Sequence, residues 1–145
     1  MSSLITELQT YYQDFLRADT EALTRFYDKS LVFRDPLHEL HGLDSVTHYF
    51  TQMRAGLKRC EFEFDATTLG DGSACLPWQM HYAHPALNGG RDLTLRGCSL
   101  VRFKDRIDYH EDFYDLGAMT YERVPLLGAL VRGVKSRLAK LPPEA

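Results

Sequence analysis

Several features are scarce in this 145-residue chain, and each scarcity excludes something. No apolar run reaches the ~20 residues a membrane-spanning helix needs, which argues against a bilayer span. The opening Met1-Ser2-Ser3-Leu4 has no basic stretch ahead of an apolar one, so no secretory leader is expected. Cysteine is limited to Cys60, Cys75 and Cys98, an odd number in apolar surroundings. Buried free thiols in a reducing compartment account for that pattern, so a cytoplasmic location is expected. Positive charge is not in excess: the net charge of −3 gives no electrostatic footprint for nucleic acid. No glycine-rich phosphate loop and no nucleophile elbow is present. The pairs His38-x-x-His41 and His81-x-x-His84 lack the spacing and cysteine neighbours of a metal site. Neither a metal nor a cofactor is expected.

What the chain has is apolar bulk. Hydrophobic residues make up 44%, and 8 Tyr with 8 Phe supply most of the aromatic volume. That is enough for one domain with a real core. Leu4, Ile5, Leu8, Tyr11, Tyr12 and Phe15 recur at helical spacing and predict a helix over 3–17. Asp19 is placed to cap a second, short helix bearing Ala22, Leu23, Phe26 and Tyr27. The run Leu31–Asp35 reads as a strand, which Pro36 stops. Residues 36–42 read as a loop, and 43–55 as a third helix.

From Lys58 the apolar period changes from 3.6 to 2. Strands are expected near 58–66, 74–83, 92–103 and 107–115, with reversals at Asp71-Gly72, Asn88-Gly89-Gly90 and Lys104-Asp105-Arg106. Helices first and a meander afterwards indicate an α+β domain. After residue 116, Leu126, Leu127, Leu130, Val131, Val134, Leu138 and Leu141 form a stripe, with Arg132, Lys135, Arg137 and Lys140 opposite. This predicts an amphipathic helix, as an extension spanning 117–145. It is expected to dock on the domain or a partner subunit; an anionic membrane surface is the alternative contact.

Two stretches carry candidate chemistry. Asp35 ends an apolar strand, where burial would raise its pKa and suit it to proton transfer, although Asp-Pro is also turn chemistry. On the last strand His110, Asp112 and Tyr114 share one face, and Tyr109, Glu111 and Phe113 the other. Plain alternation from Ile107 buries the Tyr109 face; a β-bulge would bury the His110 face instead. Both remain open from the sequence.

The order helix–helix–strand-Asp-Pro–loop–helix–meander resembles the nuclear-transport-factor-2-like superfamily, over roughly residues 4–116. That group includes ketosteroid isomerases, SnoaL-type polyketide cyclases and limonene epoxide hydrolases. The resemblance implies a cone-shaped, curved antiparallel sheet in residues 1–116, with three N-terminal helices packed on its concave face. It also implies a cofactor-independent enzyme that moves protons on a hydrophobic cyclic molecule, as an isomerase, cyclase or dehydratase. Asp35 is similar to the isomerase base and Tyr11 to its phenol donor, with no gap between them. Ser99 falls near the isomerases' second donor. His110 and Asp112 resemble the His-x-Asp acid/base pattern of the cyclases. Arg96-Gly97-Cys98 lacks the carboxylate that an epoxide hydrolase pairs with its arginine. The implied pocket is lined by Phe33, Phe64, Trp78, Met80, Ser99 and Tyr114. A homodimer through the open sheet face, where Cys98 and Leu100 would point outward, is expected too. The alternative function is a non-catalytic ligand-binding or interaction domain on the same scaffold.

Overall fold

The computed structural model describes residues 2–119 and 125–140. Helix α1 is Ser2–Gln13, shorter than its apolar pattern. The chain leaves the helix at Asp14, yet Phe15 stays in the core. Its carbonyl is satisfied by the Arg54 Nε–H at 2.8 Å. Asp19 accepts from the Glu21 N–H at 3.0 Å and caps a 3₁₀ turn leading into α2, Leu23–Phe26. Helix α3 is Leu43–Gly56. Gly42 precedes it at φ 90°, a left-handed conformation that only glycine adopts without strain.

The sheet has seven strands: β1 Tyr27–Arg34, β2 Glu39–His41, β3 Arg59–Phe64, β4 Thr68–Gly70, β5 Ser73–Ala83, β6 Leu93–Phe103 and β7 Ile107–Tyr114. Their order is β2-β1-β7-β6-β5-β3, with β4 beside β5. The curved sheet is unclosed. The sequence predicts one early strand and then a four-strand antiparallel meander. In the structure the early strand β1 pairs in parallel with β7, the one parallel pairing among the described strands. The three-residue strands β2 and β4 come from segments expected to be loop and turn.

One core joins the helices to the sheet. Leu8, Phe15, Leu23, Phe26, Val46 and Phe50 from the helical segments meet Leu31, Leu76, Val101 and Ile107 from the strands. Each is almost fully buried, stabilising the fold by ~1.5–3 kcal/mol per large side chain. Among the described residues, no helix is long and apolar enough to cross a membrane.

One irregularity in register decides what the last strand buries. Arg102 pairs with Tyr109, but Phe103 pairs with Ile107, so Asp108 is an extra residue on β7. This bulge resets the alternation. Ile107 and His110 are therefore both buried on the inner face. Tyr109 and Phe113 point the other way, and Phe113 is 50% exposed. The outer face also carries Cys75 and Cys98, half-buried with their sulfurs 2.7 Å apart across β5 and β6, whereas Cys60 is buried in the core. Only one of the three thiols therefore meets the expectation of full burial.

Beyond β7 lie α4, Leu116–Met119, and α5, Pro125–Ala139. Lys135 of α5 contacts the Asp115 carboxylate. Leu130, Val134 and Leu138 are exposed, so this part of the expected stripe does not dock on the domain. The side chains of Leu126, Leu127 and Leu141 lie outside the described residues.

Candidate functional site

Between the helices and the inner sheet face is a cavity of about 280 Å³. That volume is close to the lower end of the ~300–1,000 Å³ range of small-molecule sites. Aromatic walls come from Tyr12, Phe33, Phe50, Phe62, Trp78 and Tyr114. Two carboxylates, Asp35 and Asp112, lie on its lining; among the described residues, no lysine or arginine does.

Asp112 is held by two donors. The Ser99 hydroxyl donates to Oδ1 at 2.5 Å, and His110 Nε2 lies 2.7 Å from the same oxygen. Trp78 Nε1–H donates to Ser99 Oγ at 2.8 Å, which fixes that hydroxyl. Register brings these groups together: Ser99 pairs with Asp112 across β6 and β7, and Val101 with His110. His110 is 1% exposed. Its Nδ1 lies 2.7 Å from Tyr27 Oη, which in turn lies 2.8 Å from Tyr12 Oη. Burial pushes the Tyr12 and Tyr27 phenols well above their usual range, and the Asp112 charge adds to the rise. Both therefore stay protonated at neutral pH.

Asp35 plays two parts. Its Oδ1 accepts from the backbone N–H groups of Leu37 at 2.8 Å and His38 at 2.7 Å, the turn chemistry an Asp-Pro pair suggests. His38 Nδ1 lies 3.1 Å away. The carboxylate side chain is 4% exposed, and its Oδ2 accepts from the Tyr49 hydroxyl at 3.3 Å. Burial and the Asp35 charge raise the Tyr49 phenol. Burial, followed by the Asp35 and Asp112 charges, does the same for Tyr114.

The structure thus brings Asp35, Asp112, Phe33, Trp78, Met80 and Tyr114 to one cavity. His110 and Ser99 stand behind the wall and touch it through Asp112. Two expected residues are elsewhere. Phe64 stacks on Phe62 but is not part of the lining. Tyr11 is buried in the core, and its hydroxyl accepts from Arg54, whose guanidinium also covers the Tyr11 and Phe15 rings. Burial raises the Tyr11 phenol, and Arg54 opposes the rise. The phenol on the cavity is its neighbour Tyr12.

Neither Tyr27 nor Tyr49 is marked as functional by its sequence pattern, which places both on apolar helix faces. Helical spacing does not separate the two phenols of α1: Leu8, Tyr12 and Phe15 are spaced by four and three, Leu8, Tyr11 and Phe15 by three and four, and both tyrosines are buried. Among the described residues, no three His, Cys, Asp or Glu side chains converge as a metal site.

Residues 8–110 match the family model of the SnoaL-like domain. No curated protein matches the sequence. Solved structures do resemble it. A nuclear-transport-factor-2-like protein of unknown function from Burkholderia pseudomallei has a TM-score of 0.71 at 18% identity, over 82% of this chain and 95% of its own. A protein provisionally described as a SnoaL-like polyketide cyclase, from Shewanella denitrificans, has a TM-score of 0.71 at 16% identity, over 86% and 96%. One with a ketosteroid-isomerase-like fold from Catenulispora acidiphila, in complex with trimethylamine, scores 0.71 at 10%, over 85% and 92%. At such identities the likeness is one of fold.

Proposed function

The chain belongs to the SnoaL-like domain family, and from that premise we propose that it catalyses cofactor-independent proton transfer on a small, hydrophobic, cyclic carbonyl compound. The observation that carries this reading is the Asp112 carboxylate on an apolar cavity. Its Oδ1 is held by Ser99 and His110, while Oδ2 has no hydrogen bond among the described residues. A fixed carboxylate with one oxygen toward bound substrate is equipped as a general base. Asp35 is the second acid/base group, oriented by its turn and by the Tyr49 hydroxyl that donates to its Oδ2. The absence of lysine and arginine from the described lining, beside two carboxylates, favours a substrate without an anionic group. The volume suits a molecule of one or two rings.

The test is a panel of small cyclic ketones and lactones in D₂O, with α-proton exchange followed by NMR. Wild type should accelerate exchange, and Asp112→Asn should remove about 10²–10⁴-fold of it. Asp35→Asn should cause a smaller loss. Equal rates in wild type and both variants would exclude the carboxylates from the chemistry. Saturable binding without exchange would favour the non-catalytic ligand-binding reading.

The assembly reading is a homodimer. Pro77, Cys98 and Phe113 form a cross-strand row on the outer sheet face, next to Cys75 paired with Leu100. A second copy laid on this face would cover Phe113. Light scattering should give twice the chain mass, and Phe113→Asp should halve it. A wild-type monomer would refute this.

A further inference from the structure

Tyr12 and Asp112 both line the cavity, and behind its wall they are joined by an unbroken hydrogen-bonded chain. The steps are Tyr12 Oη to Tyr27 Oη at 2.8 Å, Tyr27 Oη to His110 Nδ1 at 2.7 Å, and His110 Nε2 to Asp112 Oδ1 at 2.7 Å. The two middle members, Tyr27 and His110, are each 1% exposed and absent from the lining. Rings of Tyr12, Tyr27 and Phe33 lie within 6 Å of the imidazole centroid, and among the described residues Asp112 is the one carboxylate in contact with it. Packing alone needs none of these three polar contacts; phenylalanines at 12 and 27 would fill similar space.

We propose that this chain is a proton relay whose two ends act on one bound molecule: Asp112 takes a proton from carbon, and Tyr12 delivers one to the carbonyl oxygen. The proposal rests on the proton-transfer reading above and adds Tyr12 as a catalytic donor, with Tyr27 as its positioning and supplying partner. The relay requires both His110 ring nitrogens to carry a proton at rest. His110 donates Nε2–H to the Asp112 carboxylate and Nδ1–H to Tyr27. Tyr27 then donates to Tyr12, and Tyr12 donates into the cavity.

During enolisation the substrate Cα–H bond breaks and its proton forms an O–H bond at Asp112 Oδ2. The electron pair moves into the C=C bond of the enol. The carbonyl oxygen takes the Tyr12 proton, Tyr12 takes that of Tyr27, and Tyr27 takes that of His110 Nδ1. Asp112 ends neutral, His110 ends neutral, and the substrate has lost one proton from carbon and gained one on oxygen. No phenolate accumulates, in keeping with two phenols that burial keeps protonated. Charge never leaves the contact pair of His110 and Asp112, which limits the reorganisation the apolar cavity must support.

Two measurements test this. The first needs no turnover: ¹⁵N NMR of histidine-labelled protein at pH 7. Both His110 nitrogens should carry protons, and Asp112→Asn should convert the ring to neutral imidazole. A neutral His110 with bare Nδ1 in wild type would overturn the relay, whatever the enzyme does. The second is α-proton exchange of cyclohexanone in D₂O by Tyr12→Phe, Tyr27→Phe and the double variant, with Trp78 emission confirming that each is folded. Each single change should slow exchange by about 10²–10³-fold, the usual loss for one oxyanion donor. The double variant should be no slower than the worse single, because both cut one chain. Wild-type rates in both singles, while Asp112→Asn is inactive, would overturn the relay and leave the general base standing. Losses that multiply in the double variant would overturn it as well. If neither wild type nor Asp112→Asn accelerates exchange, the proton-transfer reading fails and the catalytic roles of Tyr12 and Tyr27 fall with it.

Discussion

Replacing Gly97 by alanine tests how tightly the site is built. A methyl group there would sit 2.3 Å from Trp78 Cη2, 2.6 Å from Cζ2 and 2.7 Å from Cζ3. Carbon pairs rest at ~3.5–4.0 Å, so the indole must retreat by about 1 Å. It has little room. Phe62 lies edge-on with its ring centre 5.0 Å away, and Trp78 is buried. Moving the ring also breaks the 2.8 Å bond from Trp78 Nε1–H to Ser99 Oγ. Overpacking costs ~1–3 kcal/mol, and the lost hydrogen bond ~0.5–1.5 kcal/mol. Together they destabilise the fold by about 2–4 kcal/mol. With a urea slope of ~2 kcal/mol/M, the unfolding midpoint should fall by about 1–2 M. Trp78 is the only tryptophan in the chain, so its emission reports on the site directly. It should shift to the red. In a Trp78→Phe background, which lacks the distal ring that the methyl meets, the same Gly97→Ala change should cost under ~1 kcal/mol. An unchanged midpoint with unchanged emission would refute the argument. So would an equal penalty in both backgrounds.

Other consequences are equally specific. Phe50→Ala removes a ring packed against Phe15, Phe33 and Tyr12, so urea unfolding should show a loss of ~3–5 kcal/mol and the cavity should accept larger ketones. Tyr11→Phe removes an oxygen bound to Arg54 rather than one facing the cavity; it should cost ~0.5–1.5 kcal/mol and leave cyclohexanone exchange within about twofold of wild type. Burial raises the phenols of Tyr12, Tyr27, Tyr49 and Tyr114. Unfolded phenols lose protons near pH 10 while these four keep theirs, so the unfolded state binds fewer protons above that pH. Their contribution is full below about pH 10 and falls as pH rises beyond it; urea midpoints at pH 8 and 10.5 should show the decline.

Local patterning made most elements legible. The 3.6-to-2 change at Lys58 located where helices give way to strands, and Asp19 marked the second helix start. Other features depend on contacts distant in sequence. Nothing near β1 announces its parallel pairing with residues 107–111. The face of β7 turns on Asp108 alone, because one extra residue moves every later side chain to the opposite face. On α1, Tyr11 and Tyr12 differ by one position, and thus by about 100° of helix rotation. That rotation sends one phenol to Arg54 and the other to the cavity. Phe62 and Phe64 share a strand face, yet only Phe62 reaches the lining. Asp35 could be marked by its apolar approach and Pro36, but its commitment to the turn at Leu37 and His38 emerges only from the folded loop.

The central claim is that Asp112 is the base of a proton-transfer site. It is tested most directly by the rate of α-deuterium incorporation into cyclohexanone by wild type and Asp112→Asn, at equal concentration and pD 7. Wild type should accelerate incorporation, and the variant should lose at least about 10²-fold of that rate. Equal rates in the two proteins would contradict it.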